Sequence, residues 1–312
     1  MSAVVQGVGT SLFGKQRGAS LDDLAWQAVA EAVDDATDPA GRAGRSTTFD
    51  AVYVGNVFGA PGVSQRALHA MAAQRWLHEG RATLEEMAAV SVKNHHHATH
   101  NTRAQYSGTY TVEQVLASPE ISDPLTLLQC SPISDGAAAA VVGTDRGART
   151  DVRVRATAHR TGGLWDHRST EVWGYRLVSD TAGALFDAAG VGPADVDVVE
   201  MHDAFTIGEL TTTEAIGLAA EGDAGHAAAA GTSAVGGSQP INPSGGLLSR
   251  GHPLGATGVA QVAEIVWQLR GRAGGRQVDG ARLGLVETMG GGVAGTDGNA
   301  CVLALLESTH PS

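Results

Sequence analysis

The sequence predicts an α/β protein of layered sheets, built from two βαβ-rich halves. Three observations carry that expectation. Apolar runs of strand length alternate with segments of helical periodicity. The order of elements in the second half repeats that of the first. The 312 residues, 43% hydrophobic and 17% charged, are enough for a sizeable core and about two domains. The polar stretch 146–150 divides a half spanning 1–145 from one spanning 146–312.

Residues 4–9 read as a strand ending in the glycine turn Gly7-Val8-Gly9. Ser20 caps a helix over 21–36, whose apolar face carries Leu24, Ala28 and Val29 and whose first turn carries Asp22 and Asp23. Asp34, Asp35 and Asp38 read as its solvated end. A loop follows at 39–46, and a strand at 49–57 is bounded by Gly59, Pro61 and Gly62. Helical patterns cover 64–78 and 83–97. Leu125, Leu127 and Leu128 read as buried strand, and the run 137–142 as a fully buried one. In the second half, strands are expected at 152–158, 196–201, 281–286 and 300–306. Helices are expected at 180–190, with Gly190 as C-cap, and at 209–220 and 258–269.

Composition narrows the function. Lys plus Arg is 21 against 33 Asp plus Glu, a net charge of -12, which argues against nucleic acid or a membrane surface as partner. No apolar run spans a bilayer, no secretory leader is read at the N-terminus, and two cysteines make no disulfide framework. A cytoplasmic protein is expected. Gly7-Val8-Gly9 lacks the third glycine and acidic residue of a dinucleotide site. His95, His96, His97 and His100 suggest metal, but only His96 with His100 and His97 with His100 share a helical face, and no acidic ligand is spaced nearby. They read as solvated helix histidines, and His159 and His167 as surface loop residues. No metal site and no tightly bound cofactor are expected.

Three segments carry the chemistry, each where a strand gives way to a loop. One is Met201-His202-Asp203-Ala204-Phe205. The second is Asn242-Pro243-Ser244-Gly245-Gly246 with Gly251-His252-Pro253-Leu254-Gly255-Ala256-Thr257-Gly258. The third is Thr288-Met289-Gly290-Gly291-Gly292. An imidazole held between Gly and Pro before a helix can donate to a developing oxyanion, and glycines let a ligand approach the backbone.

Together these segments resemble thiolases. His202-Asp203-Ala204-Phe205-Thr206, Gln129-Cys130-Ser131-Pro132 and Lys93-Asn94-His95 resemble the branch of the sterol carrier protein, or nonspecific lipid-transfer protein, thiolases. The resemblance implies a layered αβαβα fold with an abbreviated N-terminal half and a loop-domain remnant at about 60–123. It implies an acyltransferase-superfamily protein of lipid or acyl-CoA metabolism with a coenzyme A thioester as substrate. It also implies an oligomer: a homodimer, or a hetero-oligomer with a thiolase-like chain or an OB-fold acyl-CoA-binding protein.

The departures are as informative. The family's nucleophilic cysteine motif is missing, since Val54-Gly55-Asn56-Val57 passes through Gln65-Arg66-Ala67 to Gln74-Arg75-Trp76 without the intervening stretch. Cys130 and Cys301 occupy strand-like segments, the family's second cysteine falls at Thr288, and its alternative acid/base falls at Ala204. The resemblance gives His252 and, through a water, His202 the role of holding the thioester oxygen. Asp203 is the nearest candidate to move a proton. Asn242, Ser244, Gly245, Gly255, Gly290 and Gly291 are the candidate substrate-binding positions. The expected chemistry is non-covalent making or breaking of a carbon–carbon bond through an enolate, of retro-aldol or retro-Claisen type. The alternative is a non-catalytic accessory or acyl-CoA-binding subunit.

Overall fold

The computed structural model describes residues 3–36, 65–144, 151–166, 168–290 and 296–309. The expected strand at 49–57 with its flanking turns, the polar stretch 146–150, His167 and Gly291 lie outside the described residues. Strand β1 (Ala3–Thr10) leads to helix α1 (Leu21–Ala36), then α2 (Gln65–Glu79), α3 (Leu84–Ala98) and α4 (Val112–Leu116). The short strands β2 (Glu120–Ser122) and β3 (Leu125–Thr126) precede β4 (Ala138–Thr144) and β5 (Val152–Arg160). Then come α5 (Tyr175–Ala189), β6 (Val198–Glu200), α6 (Thr206–Ile216), α7 (Ala224–Ala229), α8 (Gly246–Ser249), α9 (Thr257–Leu269), β7 (Leu283–Gly290) and β8 (Ala300–Ser308).

Among the described residues, six strands form one sheet in the order β4-β1-β5-β8-β7-β6. Only β6 and β7 pair in parallel; every other neighbouring pair is antiparallel. Strand β1 meets β5, beyond 145–150, at one pair, Val4 with Arg153. Leu285, Leu303 and Leu305 pack on Leu177, Leu185 and Phe186 of α5. On the opposite face Val5, Val8, Val198 and Val286 pack on Ile265, Val266 and Leu269 of α9. A third cluster joins α2, α3, α6 and α8 around Trp76, Met87, Ile207 and Leu247.

Gly7 and Gly9 do not end β1. A Cβ at these positions would lie 2.1 Å from the Ala32 carbonyl oxygen and 2.5 Å from that of Ala28. The glycines let α1 lie against the strand, which runs on to Thr10. Asp35 is not a solvated end: it takes the Val8 amide at 3.1 Å and the Arg270 guanidinium at 2.6 Å. Arg270 also reaches Asp151 at 2.9 Å, so α1, α9 and the start of β5 are tied together.

The run 137–142 forms β4, but its side chains are only half-covered and Val142 is 60% exposed. Among the described strands β4 is outermost, paired on one side by β1. After Leu125–Thr126 the chain turns into a 3₁₀ segment at Leu127–Gln129, which leaves Leu127 half-exposed.

Candidate active site

Because β6 and β7 are parallel, their carboxyl ends open at the same edge of the sheet. The exit of β6 carries His202 to Phe205, and the end of β7 carries Thr288. Helix α9 begins beside them: a Cβ on Gly258 would lie 3.1 Å from Thr288 Oγ1. The segment 130–134 laces the two histidine loops. Ser131 N–H donates to the Ala204 carbonyl at 2.8 Å, and Ser134 Oγ accepts the His252 amide at 2.9 Å. Gly251, at φ +116°, lets Ser134 approach; a Cβ there would meet its hydroxyl at 2.6 Å. The outcome is an edge-to-face pair of imidazoles, His202 and His252, with centroids 4.9 Å apart and planes at 86°.

The Thr257 hydroxyl stands beside the His252 ring. Its Nδ1 lies 2.8 Å from Thr257 Oγ1, which is also 3.0 Å from the Pro253 carbonyl. That carbonyl already accepts the amides of Ala256 and Thr257 at 2.9 and 3.0 Å. The threonine hydroxyl donates to that carbonyl; turned to Nδ1 instead, it would leave the imidazole's own proton on Nε2. Burial, reinforced by the Arg250 guanidinium, pushes the His252 pKa down to about 4. His202 is held well below the usual histidine range, first by burial and then by His252, His69 and Arg250. Both rings are neutral at pH 7, and a neutral imidazole N–H can polarise a carbonyl without a net charge. His202 Nδ1 is buried without a hydrogen-bond partner among the described residues. Its main-chain N–H donates to Glu287 Oε2 at 2.8 Å.

The other candidate residues divide. Asp203 is fully buried and occupied: it accepts Asn94 Nδ2 at 2.8 Å and the Leu247 amide at 2.7 Å. Asn242, at φ 54°, holds the Met201 amide through Oδ1 and donates to Glu209. Ser244 donates to Glu200 from both backbone and hydroxyl, at 2.9 and 2.8 Å. Gly245 faces Ala98 of α3, where a Cβ would come within 2.6 Å. These four are buried and shape the loop under the imidazoles. Gly255 is exposed at the start of α9, and Gly290 is half-buried at the end of β7.

Both thiols are held in the protonated form at neutral pH. Cys130 Sγ turns to the Thr126 carbonyl at 3.3 Å, and burial raises its pKa to about 11. Cys301 lies inside β8, where burial and then the Glu287 carboxyl push its thiol up. The Thr288 hydroxyl is given to Gln261 Oε1.

Several residues around the site were not among the candidate site residues. His95 and His97, read as solvated, are buried. His97 Nδ1 donates to the Asn242 carbonyl at 3.0 Å while Nε2 accepts the Val235 amide at 3.0 Å. Only His96 and His100 are exposed. Lys93 pairs with Glu209 at 2.9 Å, and Asn94 bridges Glu209 to Asp203. His69 of α2 stacks on Phe205 with centroids 4.4 Å apart.

Comparison with known proteins now fixes the lineage. The family description "Thiolase C-terminal domain-like" matches residues 156–303. An acetyl-CoA acetyltransferase of Methanothermobacter thermautotrophicus is 45% identical over 245 residues, covering 77% of this chain and 63% of that protein. The chain belongs to the thiolase superfamily. Sterol carrier protein 2 of Rattus norvegicus is 41% identical over 221 residues, covering 68% of this chain and 40% of that protein. The chain thus matches about two-fifths to under two-thirds of these relatives' lengths. In fold, it resembles a chain of the Ltp2-ChsH2(DUF35) aldolase, with a TM-score of 0.78, 24% identity and 98% of both chains covered.

Proposed function

We propose that this protein binds a coenzyme A thioester and cleaves or forms the carbon–carbon bond beside its carbonyl without an acyl-enzyme. The observation that supports it is the imidazole pair His202–His252, retained at the strand ends in a chain whose two thiols are both held protonated at neutral pH. A thioester oxygen placed against His252 Nε2–H and, through a water, against His202 would be stabilised as it gains charge. That stabilises the enolate shared by retro-aldol and retro-Claisen steps. The preferred reaction is retro-aldol cleavage of a β-hydroxyacyl-CoA to a shorter acyl-CoA and a ketone or aldehyde. It needs no covalent carrier. Occurrence of this fold in a protein named as an aldolase is in keeping with it. That protein's name joins two components, which supports assembly with a second chain here.

The test is intact-protein mass spectrometry after incubation with acetyl-, acetoacetyl- and β-hydroxyacyl-CoA, with the released carbonyl assayed in the same samples. Released ketone or aldehyde with unmodified protein is expected. A cysteine-bound acyl group would overturn the proposal. Neither adduct nor product, together with a co-purifying thiolase-like chain, would favour an accessory subunit.

A further inference from the structure

We propose that His69 is the base that takes and returns the proton in this site. The inference rests on the carbon–carbon bond chemistry proposed above and supplies the group that chemistry lacks.

His69 Nδ1 lies 2.8 Å from the Gln65 carbonyl. A carbonyl only accepts, so Nδ1 carries the proton and Nε2 is left with a bare lone pair. The ring is clamped between aromatic neighbours, stacked on Phe205 at 4.4 Å and edge-on to Trp173 at 5.9 Å. Phe205 ends the loop that carries His202. A Cβ on Gly208 would lie 3.7 Å from His69 Nε2 and 3.6 Å from the His202 carbonyl oxygen. Gly208 thus lies between the bare nitrogen and the His202 loop, within ordinary contact distance of both. Nε2 makes no hydrogen bond among the described residues.

The competing groups are occupied. Asp203 is spent on Asn94 and the amides of α8. Glu200 holds Ser244 and faces Arg250. Glu287 takes the His202 amide, and the Thr288 hydroxyl is committed to Gln261. His69 has an acceptor nitrogen without a partner among the described residues, and with its pKa lowered to about 4 by burial the ring is neutral at pH 7.

The step balances without a co-reactant. Nε2 takes the β-hydroxyl proton, and the β-carbon becomes a ketone or aldehyde carbonyl as the Cα–Cβ bond breaks. The bond's electron pair passes into the thioester, giving an enolate held by His252 and His202. The same proton then passes from Nε2 to Cα, and the shortened acyl-CoA leaves.

The experiment compares wild type with His69→Gln, His69→Ala and Gly208→Ala on secondary and tertiary 3-hydroxyacyl-CoA esters. Loss of a general base lowers turnover by ~10²–10⁴-fold. We expect a fall of at least ~100-fold in kcat for both His69 variants with KM little changed, and partial recovery of His69→Ala by added imidazole. Gly208→Ala, whose methyl enters at ordinary contact distance, keeps the fold and lowers kcat by a smaller factor. A His69→Gln variant that cleaves as fast as wild type, or an imidazole-insensitive His69→Ala with unchanged Gly208→Ala turnover, overturns the role of His69 and leaves the reaction standing. A wild type that cleaves none of the esters overturns the proposed reaction itself, and this role with it.

Discussion

Thr257 decides which nitrogen of His252 faces a ligand. Its hydroxyl lies 2.8 Å from Nδ1 and 3.0 Å from the Pro253 carbonyl, and only a hydroxyl proton turned to Nδ1 leaves the ring's own proton on Nε2. Replacement by valine removes that proton and lets the ring adopt either tautomer, so a fraction of molecules would present a bare Nε2 to the thioester oxygen. Loss of one oxyanion donor costs about 2.7–4 kcal/mol in the barrier, ~10²–10³-fold in rate. His252→Ala should show the whole of that loss. Thr257→Val should show a lesser one, of roughly tenfold, because the donor is misdirected in part of the population rather than removed. Steady-state turnover of the two variants on a cleaved thioester decides the matter. Equal losses would mean that Thr257 acts on the fold, and an unimpaired Thr257→Val would mean that the tautomer is set elsewhere.

At the scale of elements, the four-residue helix α8 is the joint between the two histidine loops. Its first amides rest on Asp203, Oδ1 accepting Leu247 N–H at 2.7 Å. Gly246 has φ +59°, and a Cβ there would come within 2.1 Å of Asp203 Oδ2. Gly246→Ala therefore combines a left-handed backbone with a clash against a buried carboxyl. A destabilisation of roughly 2–5 kcal/mol is expected from those two costs together. Urea unfolding at constant pH measures it, and a shift below about 0.5 kcal/mol would contradict the packing. This joint also marks how far the sequence can be read. The motif glycines were visible, and so were β1, α1, α2, α3 and α9, because each has its own periodicity or cap. Thr83, for example, forms a capping box with Glu86 at the start of α3. The partners were not visible. Asp203 looked like a proton carrier for its own loop, whereas its partners are on α3 and α8. His69 was an unremarked residue on a helix, since Phe205 and Trp173, which give it a place, are remote in the chain. The small-residue run of β4 read as fully buried because composition records apolarity, not which strands flank it. Helix α5 begins at Tyr175 rather than at 180, set by Gly174 in a left-handed turn that no periodicity announces.

Over the whole molecule, buried ionisable groups of opposite sign oppose one another in their response to pH. His95 and His97 are buried with pKa values lowered from 6.5 to about 4 and about 3. Their contribution is fully present above 6.5 and is lost as pH falls towards the folded values, because the unfolded chain binds the protons first. Glu200 and Glu287 are buried with values raised from 4.5 to about 7, chiefly by desolvation. Their contribution is present below 4.5 and is lost as pH rises through 7. Between pH 4.5 and 6.5 the two trends act against each other. Single variants separate them. Glu287→Gln keeps an acceptor for the His202 amide and has no proton to lose. Its stability relative to wild type should rise from pH 4.5 to pH 8 by up to about 3 kcal/mol. His97→Gln can still offer one donor to Asn242 and one acceptor to Val235. Its stability relative to wild type should rise in the other direction, by about 3 kcal/mol between pH 7 and pH 4.5. Denaturant midpoints of the three proteins at pH 4.5, 7 and 8 test both slopes. Difference curves flat with pH would place these side chains in contact with water and remove the electrostatic reason for neutral imidazoles beneath the site.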